Sequence, residues 1–182
     1  MSHLLYVVKR TGRPWEAHIL LNGKPAGEIR AGREYTFILT STDGSRWRLT
    51  NHVHGERRPF SMRSERMTRG RRGGNDTPEL VVRNHLFAHN GKFYALGGTP
   101  MESSRRDTLL GRRYIVRIDN FPFSKLEDVD DLTLSRLVHH KGIPVGEMEG
   151  LGLDSHRLKV GEELADIGLI LAACSYLMYS TG

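Results

Sequence analysis

Seven arginines within sixteen positions are the feature of this sequence with the clearest capacity for binding. They lie in the stretch RRPFSMRSERMTRGRR (57–72), where Glu65 is the only acid, so the stretch carries a net charge of +6. The remaining residues hold 20 Lys plus Arg against 20 Asp plus Glu and sum to zero. Because guanidinium groups bind phosphate and carboxylate oxygens, this basic segment predicts a site for an anionic partner. The candidate site residues are Arg57, Arg58, Arg63, Arg66, Arg69, Arg71 and Arg72.

Four interpretations of the basic segment stay open at the level of sequence. It could meet anionic lipid headgroups at the inner leaflet of a membrane, where each basic residue contributes about 1 kcal/mol. It could bind RNA, since RGRRGG resembles arginine–glycine segments, although Phe60 is the only aromatic residue there for base stacking. It could bind a protein partner with an acidic face. It could also be a solvated loop with no dedicated ligand.

Residues suited to catalysis or metal binding do not form a recognisable site. His52 and His54 would share one face of a strand, but no third ligand stands at a metal-binding spacing. The acids of EDVDD (127–131) are interpreted as a solvated turn, and Cys174 as a packing residue. We therefore expect no enzymatic activity, no metal and no cofactor. The single cysteine and the lack of a signal-peptide pattern predict a cytoplasmic protein, with the membrane periphery as one candidate location.

Short alternating runs separated by turn dipeptides predict an antiparallel meander of strands. The turn signals are Asn22-Gly23, Asp43-Gly44 and Asn90-Gly91, all of which tolerate the positive φ of a tight hairpin. Between the strands, about 56–78 is predicted to be a long, mobile basic loop. The predicted strands are Leu4–Lys9, Trp15–Leu21, Ala26–Arg30, Glu34–Thr40, Arg46–His52, Leu80–Ala88, Lys92–Leu96, Arg112–Asp119, Leu132–His139 (strand or helix), Pro144–Glu149 and Leu153–Val160.

The C-terminal stretch predicts a helix at about 162–179 that is apolar on every side. It begins after Gly161, with acids in its first turns, and no charge occurs between Ile167 and Tyr179. A run of 13 residues is short for a membrane span, which needs about 20, so burial within the protein is favoured. The sequence therefore predicts one domain (1–182): a mainly β, antiparallel barrel of about 10–12 strands that encloses this hydrophobic helix.

One motif occurs twice. GKPAGEI (23–29) and GIPVGEM (142–148) share the order Gly, any residue, Pro, small residue, Gly, Glu, apolar residue. In both, a turn glycine precedes a strand that is opened by proline. The likeness could be a coincidence between two hairpins, or it could mark a barrel made of two related halves.

Three stretches of the C-terminal region resemble the tubby C-terminal-like superfamily, and most closely its LURP-one-related group, whose relatives include the phospholipid scramblases. They are HKGIPVGEMEG (140–150), LGLDSHRLKVGEE (151–163) and DIGLILAACSYLMY (166–179). The resemblance implies a barrel around a core helix and, from tubby domains, binding of phosphoinositide-like headgroups. The basic segment matches no hallmark of the family, and the scramblases' calcium-binding acidic segment has no counterpart, so scramblase activity is not implied.

Together these observations predict a non-enzymatic binding or regulatory module for anionic lipid headgroups, with the seven arginines as the binding residues. The alternative is an RNA-binding accessory protein. Neither oligomeric state nor pathway follows from the sequence.

Overall fold

The computed structural model describes residues 3–13, 15–33, 36–51, 61–67, 79–83, 86–90, 92–96, 113–119, 143–150 and 155–180. Within these ranges the chain is mainly antiparallel sheet, followed by one C-terminal α-helix, α1 (Gly168–Ser180). The predicted β-rich architecture with a hydrophobic C-terminal helix is confirmed. The strands are β1 (His3–Arg10), β2 (Ala17–Leu21), β3 (Lys24–Ala31), β4 (Thr36–Ser41), β5 (Arg46–Asn51), β6 (Ser61–Arg66), β7 (Leu80–Arg83), β8 (Leu86–His89), β9 (Lys92–Leu96), β10 (Arg113–Asp119), β11 (Ile143–Gly150) and β12 (Ser155–Gly161).

The pairing order of the strands is cyclic. Each strand pairs antiparallel with its neighbours in sequence, and β1 also pairs with β12, from His3↔Gly161 to Lys9↔Ser155. The three predicted turn dipeptides lie between paired strands: β2–β3, β4–β5 and β8–β9. Asn22 and Asn90 have φ of 49°, Gly23 has φ of 83° and Gly44 has φ of 91°, as the dipeptides predict.

Alternation along the strands sends one set of side chains into the core. Ile19 on β2, Leu39 on β4 and Leu49 on β5 are fully buried, while their sequence neighbours are partly or fully exposed. Helix α1 contacts β1, β2, β3, β4, β11 and β12, and every residue from 170 to 178 is buried. An isolated copy of this helix would expose apolar surface to water on every side. Contact with these six strands buries that surface and so stabilises the helix.

The start of the helix differs from the prediction. Residues Glu162–Leu164 form one 3₁₀ turn, and the α-helix begins at Gly168 rather than at about 162. The acids Glu162 and Glu163 therefore lie in the 3₁₀ turn, not in the first turn of α1. Leu164 and Ile167 are both buried in the core, so the linking turn packs two apolar side chains before the helix begins.

The predicted loop at about 56–78 is wrong over Ser61–Arg66, where β6 pairs with β5 and β7. Its parts at 56–60 and 68–78 lie outside the described residues. Met62 and Ser64 point into the core, but Met62 is the only apolar residue of this strand, so the sequence shows almost no alternation. The predicted strand Leu80–Ala88 is also wrong. It is two strands, β7 and β8, whose ends pair at Arg83↔Leu86.

The repeated motif occupies equivalent places in two three-stranded units. Unit A consists of β2, β3 and β4, and unit B consists of β10, β11 and β12. In both units the central strand contains a β-bulge. The small residue between Pro and Gly of the motif has no partner there in the pairing with the preceding strand. The matching pairs are Pro25↔Leu20 and Gly27↔Ile19 in unit A, and Pro144↔Arg117 and Gly146↔Val116 in unit B.

The second glycine of the motif is required for the same reason in both units. A Cβ atom on Gly27 would lie 2.7 Å from the backbone oxygen of Thr40, and one on Gly146 would overlap the backbone oxygen of Lys159. Thr40 and Lys159 are 119 positions apart, as are Gly27 and Gly146. The motif therefore encodes one local geometry used twice, which favours two related units over coincidence.

Candidate anion-binding surface

Two of the seven predicted site arginines, Arg63 and Arg66, lie in the part of the chain that the structure describes, both on β6. Arg57, Arg58, Arg69, Arg71 and Arg72 lie outside the described residues, as do His52, His54 and the strand or helix predicted at Leu132–His139. The two described arginines have different surroundings. Arg63 belongs to the outer side of the sheet, whereas Arg66 joins a cluster at the end of β6.

The outer side of β5, β6 and β7 presents four arginines and one glutamate. It alternates with a buried inner side that carries Leu49, Met62 and Val82. We call this surface the basic face; its charged members are Arg46, Arg48, Arg63, Glu65 and Arg83.

Strand register places three of these arginines on a diagonal across the basic face. Arg48 lies opposite Glu65, and Thr50 lies opposite Arg63, so Arg48 and Arg63 are diagonal neighbours. Arg63 and Arg83 are related in the same way, because Ser61 lies opposite Arg83. Diagonal neighbours on adjacent strands are about 7–8 Å apart, within reach of long side chains. The arginine at 63 thus joins partners that lie well outside the basic segment in sequence.

Glu65 offsets part of this charge. Its carboxylate lies 2.9 Å from Arg63 Nε, with about a third of each side chain exposed. A partly exposed ion pair of this kind contributes little to stability. The basic face therefore keeps an excess of positive charge that an anionic partner could meet.

The outer side of β11 and β12 is balanced instead. Glu147 lies opposite Lys159, and Glu149 lies opposite Arg157, whose guanidinium is 3.6 Å from the Glu149 carboxylate. Two acids face two bases there. The outer side of β5, β6 and β7 thus has an excess of positive charge that the outer side of β11 and β12 lacks.

Arg66 forms a cluster with Trp47 and Glu79. The Trp47 indole N–H donates a hydrogen bond to Glu79 Oε2, and Arg66 Nη2 lies 3.2 Å from Glu79 Oε1. The Arg66 guanidinium carbon also lies 5.3 Å from the centroid of the Trp47 ring, a cation–π geometry. Arg66 is therefore engaged by the protein's own carboxylate, which the sequence prediction did not anticipate.

The sequence analysis did not identify a buried polar pair, His156 and Ser175. His156 on β12 is 3% exposed, and its Nε2 lies 2.9 Å from the Ser175 hydroxyl oxygen on α1. Ser175 also donates a hydrogen bond to the Ala172 carbonyl oxygen. Burial lowers the pKa of His156 to about 4, so the imidazole is neutral at pH 7. Alternation with Leu158 and Val160 was the signal that could have placed His156 inside.

The single cysteine is a packing residue, as predicted. Cys174 is buried, its sulfur lies 3.4 Å from the Met62 sulfur, and burial raises the pKa of its thiol to about 12. A thiol in that state is a poor nucleophile at neutral pH.

Other site types find no support within the described ranges. No group of three or more His, Cys, Asp or Glu there could hold a metal ion. Among the same residues, no helix has both the length and the apolar character to cross a membrane. Comparison with protein-family models, with curated proteins and with solved structures finds no match for this chain.

Proposed function

We propose that this chain is a tubby-like barrel, filled by α1, that acts as a non-enzymatic binding module for anionic lipid headgroups. The observation that supports this function is the diagonal of Arg48, Arg63 and Arg83 on the outer side of the sheet. The sequence places five further arginines within six residues of β6, at 57, 58, 69, 71 and 72. A membrane surface suits such an array because many separate phosphates attract it at once.

The test compares two triple variants with equal loss of charge. Arg48→Ser, Arg63→Ser and Arg83→Ser together remove the diagonal from the basic face. Lys9→Ser, Arg157→Ser and Lys159→Ser remove three cations from the outer side of β1 and β12, where they neighbour one another. Binding is measured by co-sedimentation with phosphatidylcholine vesicles with and without phosphatidylserine, and circular dichroism checks that each variant is folded.

We expect the basic-face variant to bind anionic vesicles about 100-fold more weakly, since three residues at about 1 kcal/mol each total about 3 kcal/mol. The control variant should lose much less, and binding by the wild type should weaken as salt rises. Equal losses in both variants would show that net charge alone attracts the protein to vesicles.

RNA provides the competing outcome. Replacing all seven arginines of the basic segment by serine takes the formal net charge from +6 to −1. If the wild type shifts RNA in a gel and ignores vesicles, and the seven-serine variant loses the shift, the RNA-binding alternative replaces the lipid proposal. If the wild type binds neither at low salt, the basic face has no anionic ligand of these classes.

A further inference from the structure

The Trp47–Arg66–Glu79 cluster has the composition of an occupied anion site. An indole N–H and a guanidinium can only donate hydrogen bonds, so together they offer no acceptor to each other. One carboxylate satisfies both, with Oε2 accepting from Trp47 and Oε1 facing Arg66 at 3.2 Å. The two donors thus hold the two oxygens of a single oxyanion group.

The cluster lies where the chain leaves β6 and returns into β7. Backbone hydrogen bonds fix both sides of this point: Met67 N–H donates to the Arg46 oxygen, and Glu79 N–H donates to the Ser64 oxygen. The donors therefore have fixed positions on the sheet. Glu79 is attached to the sheet by its backbone hydrogen bond to Ser64, just before β7 begins, and its side chain reaches the two donors from there.

The three side chains of the cluster differ in their exposure to solvent. The Arg66 side chain is 53% exposed and the Glu79 side chain is 35% exposed, while Trp47 is 7% exposed. A solute can reach the guanidinium and the carboxylate from solvent. The buried indole forms an apolar wall that strengthens charge-assisted hydrogen bonds beside it.

We propose that Arg66 and Trp47 form an oxyanion-binding site that Glu79 occupies in the free protein, and that a phosphate group displaces Glu79. Phosphate presents the same pair of oxygens as the carboxylate and carries more charge. This site does not depend on membrane binding by the basic face.

Glu79 competes as a tethered ligand. A group linked to its site by a short stretch of chain acts at a millimolar or higher effective concentration. Free phosphate must therefore outcompete it, so the wild type should bind phosphate weakly. Removing the carboxylate should expose the site, whereas removing a neighbouring acid outside the cluster should not.

The experiment follows the fluorescence of Trp47 in a Trp15→Phe background during titration with sodium phosphate, against sodium chloride at equal ionic strength. Glu79→Ala should give a saturable change at a phosphate concentration about tenfold or more below that of the wild type. Adding Arg66→Ser should abolish the change. Glu65→Ala is the matched control, because it removes one negative charge on β6 from outside the cluster.

Glu79→Gln, which keeps the size of the side chain, decides the matter if Glu79→Ala does not fold. The proposal is overturned if neither Glu79 variant binds phosphate more tightly than the wild type, if Glu65→Ala shows the same gain, or if Arg66→Ser leaves the gain intact.

The source of the phosphate is tested in a second arm with phosphatidylcholine vesicles that contain phosphatidic acid. A gain by Glu79→Ala toward inorganic phosphate alone supports a soluble ligand, and a gain toward these vesicles supports a lipid headgroup. The variant with serine at positions 48, 63 and 83 keeps the cluster. Combined with Glu79→Ala, it should therefore retain the fluorescence response to inorganic phosphate even if the membrane proposal fails.

Discussion

Units A and B share one backbone geometry but are followed by different elements of secondary structure. In both, the central strand has the same bulge and a glycine packed against a neighbouring carbonyl oxygen. The third strand of each unit also begins at an equivalent position: β4 begins at Thr36 and β12 at Ser155, which are 119 positions apart. After β4 the chain makes another strand, whereas after β12 it turns through Glu162–Leu164 and continues into α1. The shared motif therefore determines the strand register within each unit, but not the secondary structure that follows the unit.

The side chains of the two units diverge wherever the backbone does not constrain them. Phe37 on β4 corresponds to His156 on β12, since these positions are also 119 apart. The aromatic ring needs no hydrogen bond, but the buried imidazole needs one and finds it on α1. Unit B is thus adapted to the helix that follows it. Three sets of variants would break or sharpen this comparison.

The largest expected effect comes from adding a methyl group at the motif glycines. Gly146→Ala should lower the free energy of unfolding by about 3 kcal/mol, because the new Cβ overlaps backbone that cannot rotate away. Gly27→Ala should cost about 1–2 kcal/mol, since its nearest backbone contact is less severe and its other neighbour is the flexible Leu169 side chain. Urea unfolding measures both.

Gly12→Ala is the control for this pair, because its Cβ would meet only the end of the Glu16 side chain, at 3.1 Å. Losses at Gly27 and Gly146 no greater than at Gly12 would contradict the close approach inferred for the two units.

A second effect depends on pH and should belong to unit B. The pKa of His156 falls from 6.5 to about 4 on folding. Between pH 6.5 and 4, the imidazole is therefore protonated in the unfolded chain but neutral in the folded chain. This contribution to stability is complete above pH 6.5 and is lost as pH falls toward 4. The loss amounts to about 3 kcal/mol at pH 4.

The measurement is urea unfolding of the wild type and His156→Gln at several pH values. Glutamine can still hydrogen-bond Ser175 but does not titrate, so the difference between the two proteins should change between pH 6.5 and 4. Parallel pH profiles would show that His156 is not buried as a neutral imidazole.

The smallest effect is expected from the surface ion pairs of the two units. Arg30–Glu28 in unit A has a separation of 3.3 Å, and Arg157–Glu149 in unit B has one of 3.6 Å. Both pairs are partly exposed, so a double-mutant cycle to alanine on each should give a coupling energy of about 0–1 kcal/mol that shrinks with salt. A coupling well above this range in one unit alone would mean that the outer sides differ in stability as well as in charge.

Much of the sheet could be predicted from sequence because its signals are local. Strands such as β2 and β4 alternate clearly, and Asn22-Gly23 specifies its own turn. β6 failed the same test, since its inward positions hold one methionine and one serine. Burial there is imposed by β5 and β7 on either side, and no property of the six residues alone shows it.

The candidate site was predictable in kind but not in arrangement. The sequence locates an excess of arginine at 57–72, and Arg63 does face outward. It does not show that Arg63 lies beside Arg48 and Arg83, because strand pairing joins residues that are distant in sequence. Nor does it show Arg66 with Glu79, since that contact spans the whole connection between β6 and β7.

The pairing of β1 with β12 has a consequence for how the chain folds. Leu5 lies opposite Lys159, so this seam joins residues about 150 positions apart, and closing so long a loop is entropically costly and slow. During synthesis β1 emerges long before its partner. Until β12 arrives, β1 presents a row of unpaired backbone groups that could pair with another chain. We therefore expect this seam to set both the folding rate and the period of greatest risk of aggregation.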